Sequence, residues 1–166
     1  MMNSNYDLVP AIGEIYMMDF SGCGNGRAGW RPGVVLQNNI GNIYSDYVIA
    51  VPVTSSIKKV SQPTHVLLPA VSGLYMDSMV KCENPATIPK SLVGRYITKL
   101  SADFMREIAV ASSVATGAIS FLSAEDVLNV WKKAVQMNAS VWQSDEPITP
   151  IQQASYCLHP GIKEFT

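Results

Sequence analysis

Residues 30–38 read WRPGVVLQN, and this stretch is the most informative in the chain. It contains a short apolar strand, residues 34–36, which the chain reaches through an Arg-Pro pair. The residue before a proline is biased towards extended backbone, because the proline ring clashes with a helical predecessor. The proline also restricts its own φ, so the approach to the strand is stiff. We therefore predict a strand that begins with the guanidinium of Arg31 held in a defined position.

Short runs of β-branched, aromatic and aliphatic residues occur on both sides of this strand. Clusters of Gly, Pro, Asn and Ser separate the runs, as is typical of strands joined by turns. No helical pattern lies between them, which favours an antiparallel sheet or a small barrel over a parallel βαβ arrangement. The predicted strands are residues 14–20, 33–37, 47–53, 65–69, 78–82 and 95–100.

The hydrophobic period changes to that of a helix after residue 100. Ser101 is a favourable N-cap residue, and Asp103 lies in the first turn. Gly117 is a position at which this helix could end early. The apolar face predicted for the helix comprises Phe104, Ile108, Ala111, Ala115, Ala118 and Leu122.

A second helical pattern begins at Ser123, which forms a weak capping box with Asp126. From residue 138 onward the chain is broken by prolines and has no clear period. We therefore predict a domain at 1–117 and a C-terminal extension at 118–166. The extension is expected to pack against the domain rather than to supply catalytic groups. Its anchors would be Trp131, Trp142 and Tyr156.

The composition limits the class of protein. With 166 residues, 48% hydrophobic and 15% charged, the chain suits one domain with an appendage and is not disordered. So apolar a chain is expected to cover part of its surface with another subunit. The net charge of -1 supplies no global field for nucleic acid, so such binding requires a local basic patch.

Neither a metal site nor a membrane segment is expected. Three widely spaced cysteines without a CxxC motif and two histidines predict no metal site and suit a reducing cytoplasm. The N-terminus lacks the charged and apolar regions of a signal peptide. Residues 108–124 carry no charge, but the stretch is shorter than the ~20 residues of a membrane span, so we predict a buried helix.

Several residues suggest phosphate chemistry. Arg31 at one strand end would lie near Thr54 at another, and a planar cation beside hydroxyls suits a phosphate. Lys81 and Glu83 are two apart on a predicted strand and so share a face. They form either a surface ion pair or a cation and a general base for one phosphate. His65 is expected to be structural.

Residues 24–29 match GxGxxG, a pattern of dinucleotide-binding proteins. That function requires a helix directly afterwards, whereas here a strand follows. We therefore predict a flexible loop beside a binding face. Trp30, Tyr44 and Tyr47 are either core aromatics or residues that stack on nucleobases.

Blocks of sequence along the first two-thirds of the chain, in this order, resemble the MazF/PemK toxins of type II toxin–antitoxin systems. Several blocks in register are far more specific than any single motif. They are GEIY (13–16), WRPGVVLQNNIGN (30–42), VPVTS (51–55), QPTHV (62–66), DSMVKCE (77–83), TI (87–88) and LS (100–101).

The resemblance implies a fold that is mainly β with some α structure. This fold is a small SH3-like antiparallel β-barrel with a C-terminal helix. It also implies a cytoplasmic homodimer that cleaves single-stranded mRNA at selected sequences without a metal or other cofactor, and that binds a cognate antitoxin protein. Arg31 matches the active-site arginine of the family and Thr54 its strand-end threonine. Lys81 and Glu83 match an Arg-x-Asp pair with both charges kept. The residues expected to bind RNA are Asn25, Arg27, Trp30, Ser55, Ser56, Lys58 and Lys59.

The chain departs from the family at three places. Asn25 stands near where some members carry a histidine or glutamate, and Ala86 replaces an arginine before Thr87. The segment from 118 onward matches nothing in the compact toxins. An alternative is therefore a non-catalytic module that binds nucleic acid or protein on the same barrel. A gyrase-poisoning toxin of related fold is a further alternative, disfavoured by the proximity of Arg31 and Thr54.

The residue types suit RNA cleavage. RNA supplies its own nucleophile, the 2′-OH, so the protein needs to position it, accept its proton and stabilise the phosphorane. Arg31 suits phosphorane stabilisation because it remains charged. Glu83 is expected to accept the 2′-OH proton if partial burial raises its pKa. Thr54 can donate to a non-bridging oxygen, and Lys81 can neutralise the leaving group.

Overall fold

A computed structural model describes residues 9–23, 29–126, 128, 129 and 132. It is mainly antiparallel β structure, and a helix follows the last strand of the sheet. The strands are β1 (Glu14–Asp19), β2 (Trp30–Val35), β3 (Tyr47–Thr54), β4 (His65–Leu68), β5 (Ser78–Lys81), β6 (Ala86–Pro89) and β7 (Val93–Lys99). The α-helices are α1 (Asn39–Tyr44) and α2 (Ala102–Ala115), and 3-10 turns cover Ala70–Ser72, Lys90–Leu92 and Ala118–Ser120.

The strands form one sheet in the order β4-β5-β3-β2-β1-β7, and β6 pairs with β3. Every pairing is antiparallel, and β3 has three partners, β2, β5 and β6. Within the described part of the chain no pairing joins β4 to β7, so the sheet is not closed. The predicted mainly β class with a C-terminal helix is confirmed. Two elements, α1 and β6, were not predicted.

Alternate residues of β1, β2 and β3 enter two separate clusters of buried side chains, because successive residues of a strand point to opposite faces. Val34 and Val51 enter the first cluster, against Ile108 of α2. Val35 and Ala50 enter the second, with Ile88 of β6. The central strands are thus covered on both faces, which anchors the strand ends that carry the candidate site.

Helix α2 begins and ends at residues with the expected chemistry. The side chain of the N-cap residue Ser101 accepts a hydrogen bond from the Phe104 amide. Gly117 adopts φ +72°, a conformation that glycine takes without a steric cost. The helix therefore ends before Ala118, and Phe121 and Leu122 lie exposed beyond it rather than on its buried face. Residues 124–126, 128, 129 and 132 are again helical.

Across these described residues, no helix combines the length and apolar character needed to cross a membrane.

Candidate active site at the end of β3

Three neighbouring strands bring the candidate residues together at the C-terminal end of β3. Gly33 of β2 pairs with Pro52 of β3, and continuing that register by two residues sets Arg31 opposite Thr54. On the other side, Thr54 pairs with Met79 of β5. Side chains two residues apart on a strand share a face, so Lys81 lies on the same face as Met79. This register sets Thr54 between Arg31 and Lys81.

One side of Thr54 opens into a cavity of about 300 Å³, here called the His65 cavity. It unites Thr54 of β3, residues of the following loop, and the ends of β4 and β5. Its lining includes three lysines and one glutamate that the sequence analysis predicted to bind RNA or to take part in catalysis. The lining residues are Thr54, Ser56, Lys58, Lys59, Gln62, His65, Met79, Lys81 and Glu83.

An ion-pair cluster forms one wall of the His65 cavity. His65 Nε2 lies 2.9 Å from Glu83 Oε1, and Lys81 Nζ lies 3.5 Å from the same oxygen. His65 Nδ1 lies 3.0 Å from the backbone carbonyl oxygen of Lys59. Both ring nitrogens thus face acceptors, and only the protonated imidazole can donate to both. The His65 side chain is 3% exposed and that of Glu83 is 31% exposed, so the carboxylate covers the ring and faces the cavity.

These contacts set the charge state of Glu83. Burial by itself raises the pKa of this carboxyl group. Its own backbone amide, the hydrogen bond and charge of His65, and the charge of Lys81 together outweigh burial and lower the pKa below the ordinary glutamate value. The expectation that burial would raise the pKa of Glu83 is therefore wrong. The group is an ionised carboxylate at neutral pH.

The other side of Thr54 opens into a larger cavity of about 500 Å³, here called the Arg31 cavity. It lies between β2, the segment before β5, and β7. Two arginines and two aromatic rings are among its lining residues. These are Met17, Trp30, Arg31, Pro32, Val53, Thr54, Ser55, Leu74, Tyr75, Met76, Ser78, Arg95 and Ile97.

Thr54 is the one predicted catalytic residue that lines both cavities. The amide of Ser56 donates to Thr54 Oγ1 across 3.1 Å, which orients the oxygen while the hydroxyl hydrogen can still be donated. Arg31 therefore lies on one side of this hydroxyl, whereas Lys81 and Glu83 lie on the other.

The predicted RNA-binding residues divide between the two cavities. Trp30 and Ser55 line the Arg31 cavity. Ser56, Lys58 and Lys59 line the His65 cavity. The remaining two predicted RNA-binding residues, Asn25 and Arg27, lie outside the described residues.

Sequence reasoning missed four cavity residues. His65 was expected to be structural, yet its ring contacts Glu83 in the cavity wall. Tyr75, Met76 and Arg95 belong to no motif: in the sequence the first two are an aromatic residue and a methionine between predicted strands, and Arg95 begins the predicted strand 95–100. Ala86 is buried opposite Ala50 and lines neither cavity. Among the described residues, no group of three or more His, Cys, Asp or Glu could hold a metal ion.

Comparisons with known proteins agree on one family. A sequence model described as PemK-like, MazF-like toxin of type II toxin-antitoxin system matches residues 11–112. The chain is 34% identical over 111 residues to Endoribonuclease EndoA of Bacillus subtilis (strain 168), covering 66% of this chain and 96% of that protein.

Solved structures show the same similarity. The crystal structure of MazF (Form-I) from Deinococcus radiodurans superposes with a TM-score of 0.59 and 26% identity, over 67% of this chain and 99% of that one. An endoribonuclease in complex with its cognate antitoxin from Mycobacterial species superposes with a TM-score of 0.55 and 26% identity, over 65% of this chain and 95% of that one.

Proposed function

Because the chain belongs to the PemK-like, MazF-like family of toxins of type II toxin–antitoxin systems, we propose that it is an endoribonuclease that cleaves single-stranded mRNA at selected sequences. The observation that carries this proposal is the position of Thr54 between the two cavities. A phosphate bound at its hydroxyl would have a guanidinium on one side and a carboxylate–imidazole pair on the other. This arrangement supports cleavage in which the RNA 2′-OH attacks the adjacent phosphate without a metal ion.

In the proposed reaction Arg31 and Thr54 hold the phosphate. The charged fork of Arg31 offers paired donors to the two non-bridging oxygens, and these donors matter most when the phosphorane carries additional charge. Thr54 donates its hydroxyl hydrogen to one of the same oxygens. Arg31 does not act as a base, because a guanidinium does not lose its proton in proteins.

Glu83 accepts the 2′-OH proton in this proposal. Its low pKa keeps it ionised, and its 31% exposure leaves it open to the cavity. His65 is a positioning residue, since its nearly buried ring donates to Glu83 and holds the carboxylate in one orientation. Lys81 adjoins the same carboxylate and can neutralise the leaving 5′-oxygen.

We propose two protein partners. Given the family, a cognate antitoxin would cover the cavities with an acidic or apolar segment, and Lys58, Lys59 and Lys81 favour an acidic one. A second copy of the chain would cover exposed apolar residues on α1 and at the N-terminal end of β3, such as Ile40 and Tyr47. As a toxin that acts on mRNA, the protein would work in the cytoplasm.

The decisive experiment incubates the pure protein with single-stranded RNAs of varied sequence in the presence of a chelator. We expect cleavage, with products that end in a 2′,3′-cyclic phosphate and a 5′-hydroxyl. Loss of cleavage on chelation, restored by a divalent ion, would contradict the metal-independent mechanism. Absence of cleavage with retained RNA binding would support the non-catalytic binding module instead.

A further inference from the structure

The Arg31 cavity has more volume and more aromatic surface than a phosphate site requires. We propose that it is a nucleotide-binding subsite, in which Trp30 and Tyr75 stack on an RNA base and Arg95 binds a backbone phosphate. It would hold the nucleotide on the far side of the scissile phosphate from the His65–Glu83 pair. The identity of the ligand as RNA rests on the proposed function. The subsite itself rests on the observations that follow.

The charge of the cavity suits a polyanion. Arg31 and Arg95 both line it, and none of its thirteen lining residues is acidic. The His65 cavity, in contrast, includes the carboxylate of Glu83. Two guanidiniums in one cavity can contact successive phosphates of a single strand, because Arg offers paired donors that match phosphate oxygens.

Trp30 is held as a flat surface against β7. A Cβ atom added to Gly94 would lie 2.9 Å from Trp30 Cζ3 and 3.2 Å from the backbone oxygen of Met17. The absence of a side chain at Gly94 therefore provides the space that the indole ring occupies. Trp30 remains 53% exposed, so the ring is supported on one side and open on the other. A supported, open aromatic ring is the feature on which unpaired bases stack.

Tyr75 is exposed on a loop that is itself well anchored. Its side chain is 89% exposed, whereas its neighbour Leu74 is buried in the core. The Asp77 carboxylate accepts a hydrogen bond from the Ala70 amide across 2.9 Å, which ties the two ends of the loop together. The Ser78 hydroxyl donates to the carbonyl oxygen of Met76 across 3.0 Å. An ordered backbone thus presents an aromatic ring that buries little surface within the chain, as expected of a residue that contacts a ligand.

Binding is tested with fluorescently labelled, mixed-sequence single-stranded RNA that is 2′-O-methylated throughout, so that it cannot be cleaved. We expect Tyr75→Ala to bind this RNA about tenfold more weakly than the native protein, the scale of one base–aromatic stack. The control is Leu67→Ala, which shortens an exposed apolar side chain of β4 that lies in neither cavity.

The arginine is tested by the salt dependence of the same binding. We expect Arg95→Ala to reduce the slope of log K against log salt concentration by about 0.7, the contribution of one phosphate contact on a single strand. Arg106→Ala is the control, since Arg106 is an exposed arginine of α2 paired with Asp103. Similar melting temperatures of the native protein and all four variants would exclude misfolding as the cause.

Kinetics on cleavable RNA separate this subsite from the catalytic groups. Tyr75→Ala should raise KM and leave kcat largely intact, because stacking binds ground state and transition state alike. Equal RNA affinity of the native protein and Tyr75→Ala, with cleavage intact, would overturn the subsite and leave the proposed function standing. RNA binding that depends on Tyr75, without cleavage of any RNA, would overturn the proposed function and leave the subsite. If Tyr75→Ala weakened only antitoxin binding, the cavity would be a protein-docking site and the inference would be wrong.

Discussion

At the scale of single residues, Arg31 and Thr54 reach one point from two strands because the register of β2 and β3 is fixed by pairs deeper in the sheet, such as Val34 with Val51. Both side chains line the Arg31 cavity. A substitution at this point is therefore expected to affect the chemistry more than the fold.

Arg31→Ala should reduce RNA cleavage by about a hundredfold or more, the scale observed when one transition-state donor is removed. Single-turnover cleavage of a defined RNA measures the effect, and thermal unfolding shows whether the sheet is retained. Arg31→Lys keeps the charge but loses the paired donors, so it should also cleave slowly. Normal cleavage by a folded Arg31→Ala variant would remove Arg31 from the mechanism.

The low pKa of Glu83 predicts how RNA cleavage depends on pH. Cleavage that needs the Glu83 carboxylate should persist as pH falls to the ordinary glutamate value of 4.5 and decline only below it. His65→Ala removes a hydrogen bond and a charge that lower this pKa, so the decline should move to higher pH. Profiles of kcat/KM against pH for the native protein and His65→Ala test this. Coinciding acid limbs would show that His65 does not control Glu83.

The same shift has a consequence for stability. Because the pKa of Glu83 is lower in the folded protein than in the unfolded chain, its ionisation stabilises the fold above the unfolded value. This contribution is lost as pH falls through the lower, folded value. Glu83→Gln should therefore make unfolding less sensitive to pH in this acidic range, as measured by denaturant titrations at several pH values.

At the scale of elements, the end of α2 illustrates how one backbone conformation sets a boundary. Gly117 has φ +72°, and an added Cβ would meet no atom within 4 Å. The cost of a side chain there is therefore conformational rather than a clash.

Gly117→Ala should lower the free energy of unfolding by about 1 kcal/mol, because a Cβ disfavours the left-handed conformation. Gly22→Ala is the matched control, since its Cβ would also meet nothing within 4 Å and its φ is not positive. Urea unfolding of the two variants provides the comparison. If both variants changed stability by the same amount, φ at Gly117 would not be the cause.

At the scale of the whole molecule, the relatives match about two-thirds of this chain while nearly all of each relative is covered. The family match ends at residue 112, so the proposed extension at 118–166 lies beyond the part of the chain that the relatives share. Val110 of α2 is 57% exposed, and Phe121 and Leu122 at the start of the extension also expose large apolar side chains. A covering role for the extension therefore fits better than a catalytic one.

Truncation after Gly117 should lower the melting temperature but leave RNA cleavage intact. A second truncation, after Lys132, tests whether the residues next to α2 account for the stability change. Cleavage lost in a truncated protein whose stability was intact would place the extension in the active site.

The proposed homodimer is tested by sedimentation of the full chain. We expect twice 18.0 kDa at micromolar concentration, and a purely monomeric species would contradict the proposal.

Several local features follow from the sequence alone: the N-cap at Ser101, the end of β3 at Thr54, and a strand at the Arg-Pro pair, although β2 begins at Trp30 and so includes this pair. These follow from steric and hydrogen-bonding preferences of neighbouring residues. The order of the sequence blocks then carried the resemblance to known toxins, and this resemblance implied the function. The short β6 was not predicted because it depends on pairing with β3, and α1 was not predicted because its six residues are too few to show a helical period.

Which groups interact at the site depends on the tertiary structure. His65 and Glu83 are 18 residues apart and meet because β4 and β5 pair with a particular register. Tyr75 and Arg95 share a cavity with Arg31 because β7 pairs with β1, the neighbour of β2, and the segment before β5 lines the same cavity. The sign of the Glu83 pKa shift is a balance of burial against nearby donors and charges. Such a balance depends on distances between residues remote in the chain, which residue types alone do not contain.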